Sequence, residues 1–134
     1  MASITPKPTL IIADDHDMVR SSLKVAIEGF QCISVHIVRE AVNALELSHL
    51  CYTQIPDIVI LDVHLPQLSS FEFMSDFKGK YPCCQLIVLG TLSDSHLLEK
   101  ALQMGADTFW LKDFSIAELE QNISAYFSYD KLIR

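Results

Sequence analysis

The chain has 134 residues, of which half are hydrophobic and a fifth are charged, a balance typical of one folded domain with a single core. Its formal net charge of −7 argues against nonspecific binding to nucleic acid or to an anionic membrane surface. No apolar run is long enough to cross a bilayer, and the first residues lack the apolar stretch of a signal peptide. We therefore expect a cytoplasmic protein that does not contact a membrane.

Cysteine and histidine spacing gives no sign of a zinc or redox motif. Cys32, Cys51, Cys83 and Cys84 include no Cys-x-x-Cys pair, and the five histidines include no His-x-x-x-His pair. We expect reduced thiols, as in most cytosolic proteins.

Short apolar runs alternate with segments of helical periodicity along the whole sequence. The predicted strands are Thr9–Ala13, Cys32–Val38, Ile58–Leu61, Gln85–Leu89 and Thr108–Leu111. The predicted helices are Met18–Glu28, Glu40–Leu50, a third ended by Gly79, His96–Met104 ended by Gly105, and a fifth opened by a capping box at Ser115–Glu118. This alternation predicts an α/β fold, a doubly wound five-stranded parallel sheet with five helices. We expect one domain over residues 9–128, an extension at 1–8, and a tail or the start of a linker at 129–134.

Charged residues follow directly after three of the predicted strands. Asp14 and Asp15 follow the first strand, Asp62 follows the third, and Lys112 follows the fifth. Because functional groups of an open parallel sheet gather at the carboxyl ends of its strands, these side chains should converge at one edge. Any one of them alone is more often a helix cap or a surface residue, but their coincidence favours a functional site.

Three converging carboxylates need a compensating positive charge. Two like charges about 5 Å apart repel by roughly 3 kcal/mol at an effective dielectric constant near 20. A proton or a hard divalent cation such as Mg²⁺ relieves that repulsion. A carboxylate nucleophile, a metal ion and a lysine together form the minimal set for phosphoryl transfer.

Four segments resemble the receiver domains of two-component response regulators, which have the CheY-like, flavodoxin-like fold. The segments are Leu10–Asp17, Asp57–Pro66, Gly105–Asp107 and Trp110–Asp113. The first continues as His16–Arg20, which looks like the receivers of the LuxR/NarL-type transcriptional subfamily. The similarity extends over roughly residues 9–128.

The resemblance implies a role for each residue of the charged group. Asp62 matches the phosphoacceptor, which a sensor histidine kinase phosphorylates. Asp15, Asp62 and the backbone carbonyl of His64 match the protein ligands of Mg²⁺, and Asp14 would act through a metal-bound water. Lys112 matches the residue that pairs with the phosphoryl oxygens. Such a domain is a phosphoacceptor and not an enzyme, since its only chemistry is phosphotransfer to itself and autodephosphorylation.

Two positions depart from the family pattern and leave the switching step open. Receivers normally place Ser or Thr at the end of the fourth strand, where the hydroxyl binds the phosphoryl group. Gly90 holds that position, and Thr91, one residue later, is the alternative hydroxyl. Ser70 stands where the family usually has a glycine that tolerates a positive φ. Phe109 matches the aromatic residue that rotates during switching.

The same residues favour or oppose three alternative functions. A pseudo-receiver, which binds partners without phosphorylation, is favoured by Gly90 and Ser70 and opposed by the intact charged group. A haloacid-dehalogenase-type phosphatase would need a second aspartate where His64 stands. A flavodoxin would need a phosphate-binding loop where this sequence has the acidic run Asp14–Asp17.

The resemblance implies an output domain that the signal controls. Full-length LuxR/NarL-type regulators carry a helix-turn-helix domain after the receiver, so we expect contact with DNA only through such a domain. The resemblance also allows a homodimer.

Overall fold

The computed structural model describes residues 7–66, 72–113 and 115–133. Its strands are β1 (Thr9–Ala13), β2 (His36–Ala41), β3 (Ile58–Asp62), β4 (Gln85–Gly90) and β5 (Thr108–Leu111). Its helices are α1 (Asp17–Glu28), α2 (Ala44–Thr53), α3 (Glu72–Lys80), α4 (Ser95–Gln103) and α5 (Ile116–Ile133), with a short 3₁₀ helix, Leu92–Asp94, before α4. All strands are parallel and lie in the order β2-β1-β3-β4-β5. The predicted doubly wound α/β fold is confirmed.

The core consists of two apolar layers, one on each face of the sheet. Side chains of β3 alternate between them, so that Ile58 and Ile60 join the layer beneath α1 and α5. Val59 and Leu61 join the layer beneath α2, α3 and α4. Every residue of β3 is buried, which confirms the prediction that this strand is central. Within the described ranges, no helix combines the length and apolar character that a membrane span requires.

The second strand begins later than the sequence predicts. The prediction placed it at Cys32–Val38, whereas β2 begins at His36, which is in register with Thr9 of β1. The backbone N–H groups of Cys32 and Ile33 instead donate to Oε2 of Glu120 on α5, at 2.6 and 3.1 Å. A side chain distant in sequence thus satisfies these donors, and no local pattern predicts that contact.

The second and third helices also differ from their predicted bounds. The prediction began the second helix at Glu40, but that residue lies in β2 and the helix begins after Asn43, whose side chain accepts a hydrogen bond from the Glu46 N–H at 2.8 Å. The expectation that Gly79 ends the third helix is wrong, since α3 continues to Lys80. Gly105 does follow the end of α4, with a φ of 121° that favours glycine.

Candidate functional site

The carboxyl ends of β1 and β3 bring two carboxylates together inside the protein. Asp14 follows β1 and Asp62 ends β3, and each side chain is only 1% exposed. The two strands are neighbours in the sheet, paired from Leu10 with Ile58 to Ala13 with Leu61. The convergence expected from the sequence is therefore present for these two residues.

Asp14 is held by the turn that follows it. Its Oδ1 accepts hydrogen bonds from the backbone N–H of His16 and lies against the Nδ1 of the same residue, both at 2.8 Å. Its backbone carbonyl accepts a hydrogen bond from Nη1 of Arg20 at 2.7 Å. Arg20 also pairs with Asp17 and with Glu40 of β2. One guanidinium thus fixes the acidic turn against the adjacent strand.

Asp62 is held by a lysine and by a backbone amide. Its Oδ2 lies 2.5 Å from Nζ of Lys112, which follows β5, and its Oδ1 accepts a hydrogen bond from the His64 N–H at 2.7 Å. Burial alone would raise the pKa of Asp62, but the ion pair with Lys112 and the His64 amide outweigh it and lower that pKa. Asp62 is consequently ionised at neutral pH.

The pKa values of Asp14 and Lys112 are both raised, whereas that of Asp62 is lowered. Burial raises the pKa of Asp14 above its usual value, and the neighbouring negative charge of Asp62 adds to the increase despite the His16 amide. Burial would lower the pKa of Lys112, but the bond to Asp62 and the charges of Asp14 and Asp94 raise it. The site therefore contains more negative charge than Lys112 alone neutralises.

The donor set suits a hard divalent cation. Carboxylate oxygens of Asp14 and Asp62 and a ring nitrogen of His16 lie within 4.8 Å of one another. Among the described residues, Oδ2 of Asp14 is a buried oxygen without a hydrogen-bond partner. A buried, ionisable oxygen left without a donor is costly unless a cation or proton reaches it. The carboxylate of Asp15 lies at the rim, 41% exposed and 3.2 Å from the His16 ring, and its role as a ligand stays a prediction.

The β4–α4 loop, residues 91–94, is organised differently from the predicted hydroxyl site. The Thr91 hydroxyl donates to Oδ2 of Asp94 at 3.0 Å and lies 2.8 Å from Oγ of Ser93. The Thr91 N–H donates to the same Asp94 oxygen at 2.8 Å, and Nε2 of His64 lies 2.8 Å from the other. The Thr91 side chain is therefore engaged with Asp94 in this structure.

Phe109 lies in β5 beside Val88 of β4 and packs, partly buried, against the layer beneath α2, α3 and α4. Its role as the switch aromatic stays a prediction. Ser70, which stands where the family usually has a glycine, lies outside the described residues.

Three residues of this site were not assigned a role from the sequence: His16, Arg20 and Asp94. The spacing of Asp17 and Arg20 is that of neighbours on a helix, and Thr91 and Asp94 have the spacing of a helix-capping pair, so both signals were available. The distance from Asp94 to His64 was not predictable, because it depends on how two loops pack.

Comparison with known proteins agrees with the fold. The family model of the response regulator receiver domain matches residues 10–124. The transcriptional regulatory protein YdfI of Bacillus subtilis is 32% identical over 87% of this chain and 53% of its own length. The nitrate/nitrite response regulator protein NarL of Escherichia coli is 29% identical over 83% of this chain and 50% of its own length.

A solved structure of a response regulator is also similar to this chain. A two-component response regulator of the LuxR family from Aurantimonas sp. superposes with a TM-score of 0.79 and 27% identity, covering 92% of this chain and 86% of that chain. This chain spans about half the length of the curated relatives it matches. The match supports neither the phosphatase nor the flavodoxin interpretation. The chain belongs to the response regulator receiver domain family, and the predicted resemblance to LuxR/NarL-type receivers is confirmed.

Proposed function

We propose that this domain accepts a phosphoryl group on Asp62 from a sensor histidine kinase and that the reaction requires Mg²⁺. The observation that carries the proposal is the ion pair between the buried Asp62 and the half-buried Lys112, 2.5 Å apart, beside the unpartnered Oδ2 of Asp14. An ionised nucleophile, a lysine for the transferred charge and a carboxylate oxygen that can bind a hydrated divalent cation are the requirements of phosphoryl transfer at a carboxylate.

The chain's own groups account for each part of the transfer. A carboxylate oxygen of Asp62 forms the new bond to phosphorus while the bond to the donor's leaving group breaks, and the leaving group takes that electron pair. Lys112, already beside Asp62, neutralises charge on the phosphoryl oxygens. The His64 amide holds the carboxylate in position. Asp15, Asp62 and the His64 carbonyl would hold Mg²⁺, with Asp14 acting through a water, and the bound ion would neutralise charge on the carboxylates and phosphoryl group.

An apolar groove beside this site supports a protein as the phosphodonor. The groove, of about 630 Å³, lies along α1 and reaches both Ile116 of α5 and Lys112. Met18 and Val25 of α1 also line it and are 82% and 69% exposed. Because Lys112, the partner of Asp62, also lines this groove, we expect Val25→Glu to slow transfer from a phosphorylated sensor kinase and to leave labelling by acetyl phosphate unchanged. If Val25→Glu slows transfer from both donors equally, a protein donor does not bind in this groove.

The wider role is proposed from the relatives. Since YdfI is a transcriptional regulatory protein and the match spans 53% of its length, we propose that residues 9–128 form a receiver unit that acts through a DNA-binding output domain. A homodimer is one way to transmit the signal. The domain itself carries out self-directed phosphotransfer and autodephosphorylation and does not turn over a separate substrate.

A pseudo-receiver is the second candidate, and one observation favours it. The side chain of Thr91, the hydroxyl nearest to the position of Gly90, is engaged with Asp94. A receiver without an available hydroxyl could bind partners without phosphorylation.

Intact-mass measurement with acetyl phosphate separates the two candidates. The phosphoacceptor predicts a mass increase of one phosphoryl group that requires Mg²⁺ and is lost with EDTA and in Asp62→Asn. Asp76→Asn, which removes the same charge from an exposed position on α3, should label normally. Absence of labelling in the native protein would favour the pseudo-receiver, and labelling of Asp62→Asn would contradict the assignment of the acceptor.

A further inference from the structure

Asp94 joins the two loops that flank Asp62. One carboxylate oxygen accepts hydrogen bonds from the N–H and hydroxyl of Thr91, and the other lies 2.8 Å from Nε2 of His64 in the loop after β3. The Asp94 side chain is only 13% exposed, while the His64 side chain is 59% exposed. The Thr91 backbone amide, followed by the His64 ring, lowers the pKa of Asp94 to about 2, so its carboxylate is charged at neutral pH.

The glycine at position 90 gives the Asp94 side chain its space. A Cβ atom built on Gly90 would lie 3.2 Å from both Cβ and Oδ2 of Asp94, and 3.0 Å from Cδ2 of Leu98 on α4. Among the described glycines, only Gly105 has a positive φ. A left-handed backbone conformation therefore does not explain why position 90 is a glycine. Gly90 and Asp94 are therefore a matched pair, in which the missing side chain of one makes room for the other.

Asp94 is also an unfavourable neighbour for a phosphoryl group. Its Oδ1 lies 2.8 Å from Nε2 of His64, two residues after Asp62, and its charge adds to those of Asp62 and Asp14 in raising the pKa of Lys112. A phosphoryl group on Asp62 brings further negative charge to Lys112, and that charge repels the carboxylate of Asp94. Since the His64 ring is mostly exposed, its pair with Asp94 is a weak contact that this repulsion can break.

We propose that Asp94 is a positioning residue that ties the β4–α4 loop to His64 in the unphosphorylated domain and is displaced when Asp62 carries a phosphoryl group. This inference rests on the proposed function of Asp62. Release of Asp94 frees the Thr91 hydroxyl and amide, so that displacement of a carboxylate couples the acceptor to α4 without a hydroxyl at position 90.

Amide hydrogen exchange at Thr91 tests the displacement in the full 134-residue chain. Beryllofluoride with Mg²⁺ serves as the phosphoryl mimic, and ¹⁹F resonances of the bound mimic establish saturation of the site. Exchange at Thr91 should be slow in the native protein with Mg²⁺ alone and about tenfold faster with beryllofluoride, as an opened hydrogen bond predicts. In Asp94→Ala it should be fast under both conditions.

Binding of the mimic gives a second readout that a purely structural cap would not change. At saturating Mg²⁺, Asp94→Asn keeps the shape of the side chain and removes its charge, so half-saturation should need about three- to tenfold less beryllofluoride. Asp76→Asn is the matched control for net charge and should bind as the native protein does. Unchanged Thr91 exchange at a saturated site, or equal binding by the two variants, would overturn the role of Asp94 and leave the proposed function standing. If no mimic binds and acetyl phosphate adds no mass, the proposed function fails and this inference fails with it.

Discussion

The two halves of the candidate site differ in how far they follow the family pattern. The acidic edge, which comprises Asp14, Asp15, Asp62 and Lys112, keeps each charged residue that the resemblance requires. In the β4–α4 loop, the expected hydroxyl is replaced by Gly90, and an aspartate occupies the adjoining space. Under the proposed function, accepting a phosphoryl group depends on the acidic edge, whereas responding to it depends on the loop. The comparison therefore separates the capacity to be phosphorylated from the means of switching.

Removal of Lys112 should give the largest effect on the acidic edge. A hydrogen bond to a charged group is worth about 1.5–3 kcal/mol, so Lys112→Ala should slow labelling by acetyl phosphate roughly 10- to 150-fold. Lys80→Ala, which removes the same charge from an exposed position on α3, should label at the native rate. Initial rates from intact mass give the comparison. Equal rates for Lys112→Ala and the native protein would show that the ion pair with Asp62 has no part in the transfer.

Two glycine-to-alanine substitutions sharpen the description of the loop. Gly90→Ala places a Cβ against Asp94 and Leu98 and should lower the free energy of unfolding by about 1–3 kcal/mol, the usual cost of overpacking. Gly79→Ala in α3 meets no described atom within 4 Å and should raise it by about 0.5–1 kcal/mol. Urea denaturation measures both. If the two substitutions shift stability in the same direction, Gly90 does not make room for Asp94.

The buried carboxylate of Asp14 should oppose stability in the absence of metal. Asp14→Asn removes its repulsion from Asp62 and gives the unpartnered position a hydrogen-bond donor, so the metal-free protein should be about 1–2 kcal/mol more stable. The increase in melting temperature on adding Mg²⁺ should shrink in the same variant. Asp15→Asn is the matched control, and its exposed carboxylate should change metal-free stability much less. A less stable Asp14→Asn protein would contradict the strain assigned to this pair.

Acid titration should show the smallest effect. The folded-state pKa of Asp94 is about 2, below its ordinary value of 3.8, so its stabilising contribution is present above the ordinary value and is lost as pH falls through the folded one. Asp94→Asn should therefore flatten the loss of stability between about pH 4 and pH 2. The contacts that lower this pKa, first the Thr91 amide and then the His64 ring, are exposed to solvent, which keeps the difference small. Identical slopes in the two proteins would show that the Asp94 contacts do not persist in solution.

Much of the acidic edge was predictable, because its residues directly follow strands whose parallel direction can be inferred from the sequence. A run of apolar residues ending in Asp62 identifies the central strand, and parallel strands bring their carboxyl ends to a common edge. The bounds of β2 were not predictable in the same way. Its first residues were expected at Cys32, but the contact between Glu120 and the Cys32 backbone joins positions 88 residues apart.

The β4–α4 loop shows a different limit of sequence reasoning. The sequence identifies a missing hydroxyl at Gly90, but it does not show what fills the space. Thr91 and Asp94 have capping spacing, which predicts a local contact and no role for His64, 30 residues earlier. Packing of Asp94 over a glycine depends on where α4 begins relative to β4. That geometry follows from tertiary structure and not from local pattern.

Chemical mapping of the acceptor tests the central claim most directly. Borohydride reduces an aspartyl phosphate to homoserine, so the native protein treated with acetyl phosphate and Mg²⁺ can be reduced, digested and sequenced by mass spectrometry. The account predicts homoserine at position 62 alone, formed with Mg²⁺ and absent with EDTA. Homoserine at another aspartate, or at position 62 without a divalent ion, would contradict the assignment of a metal-dependent phosphoacceptor to the acidic edge.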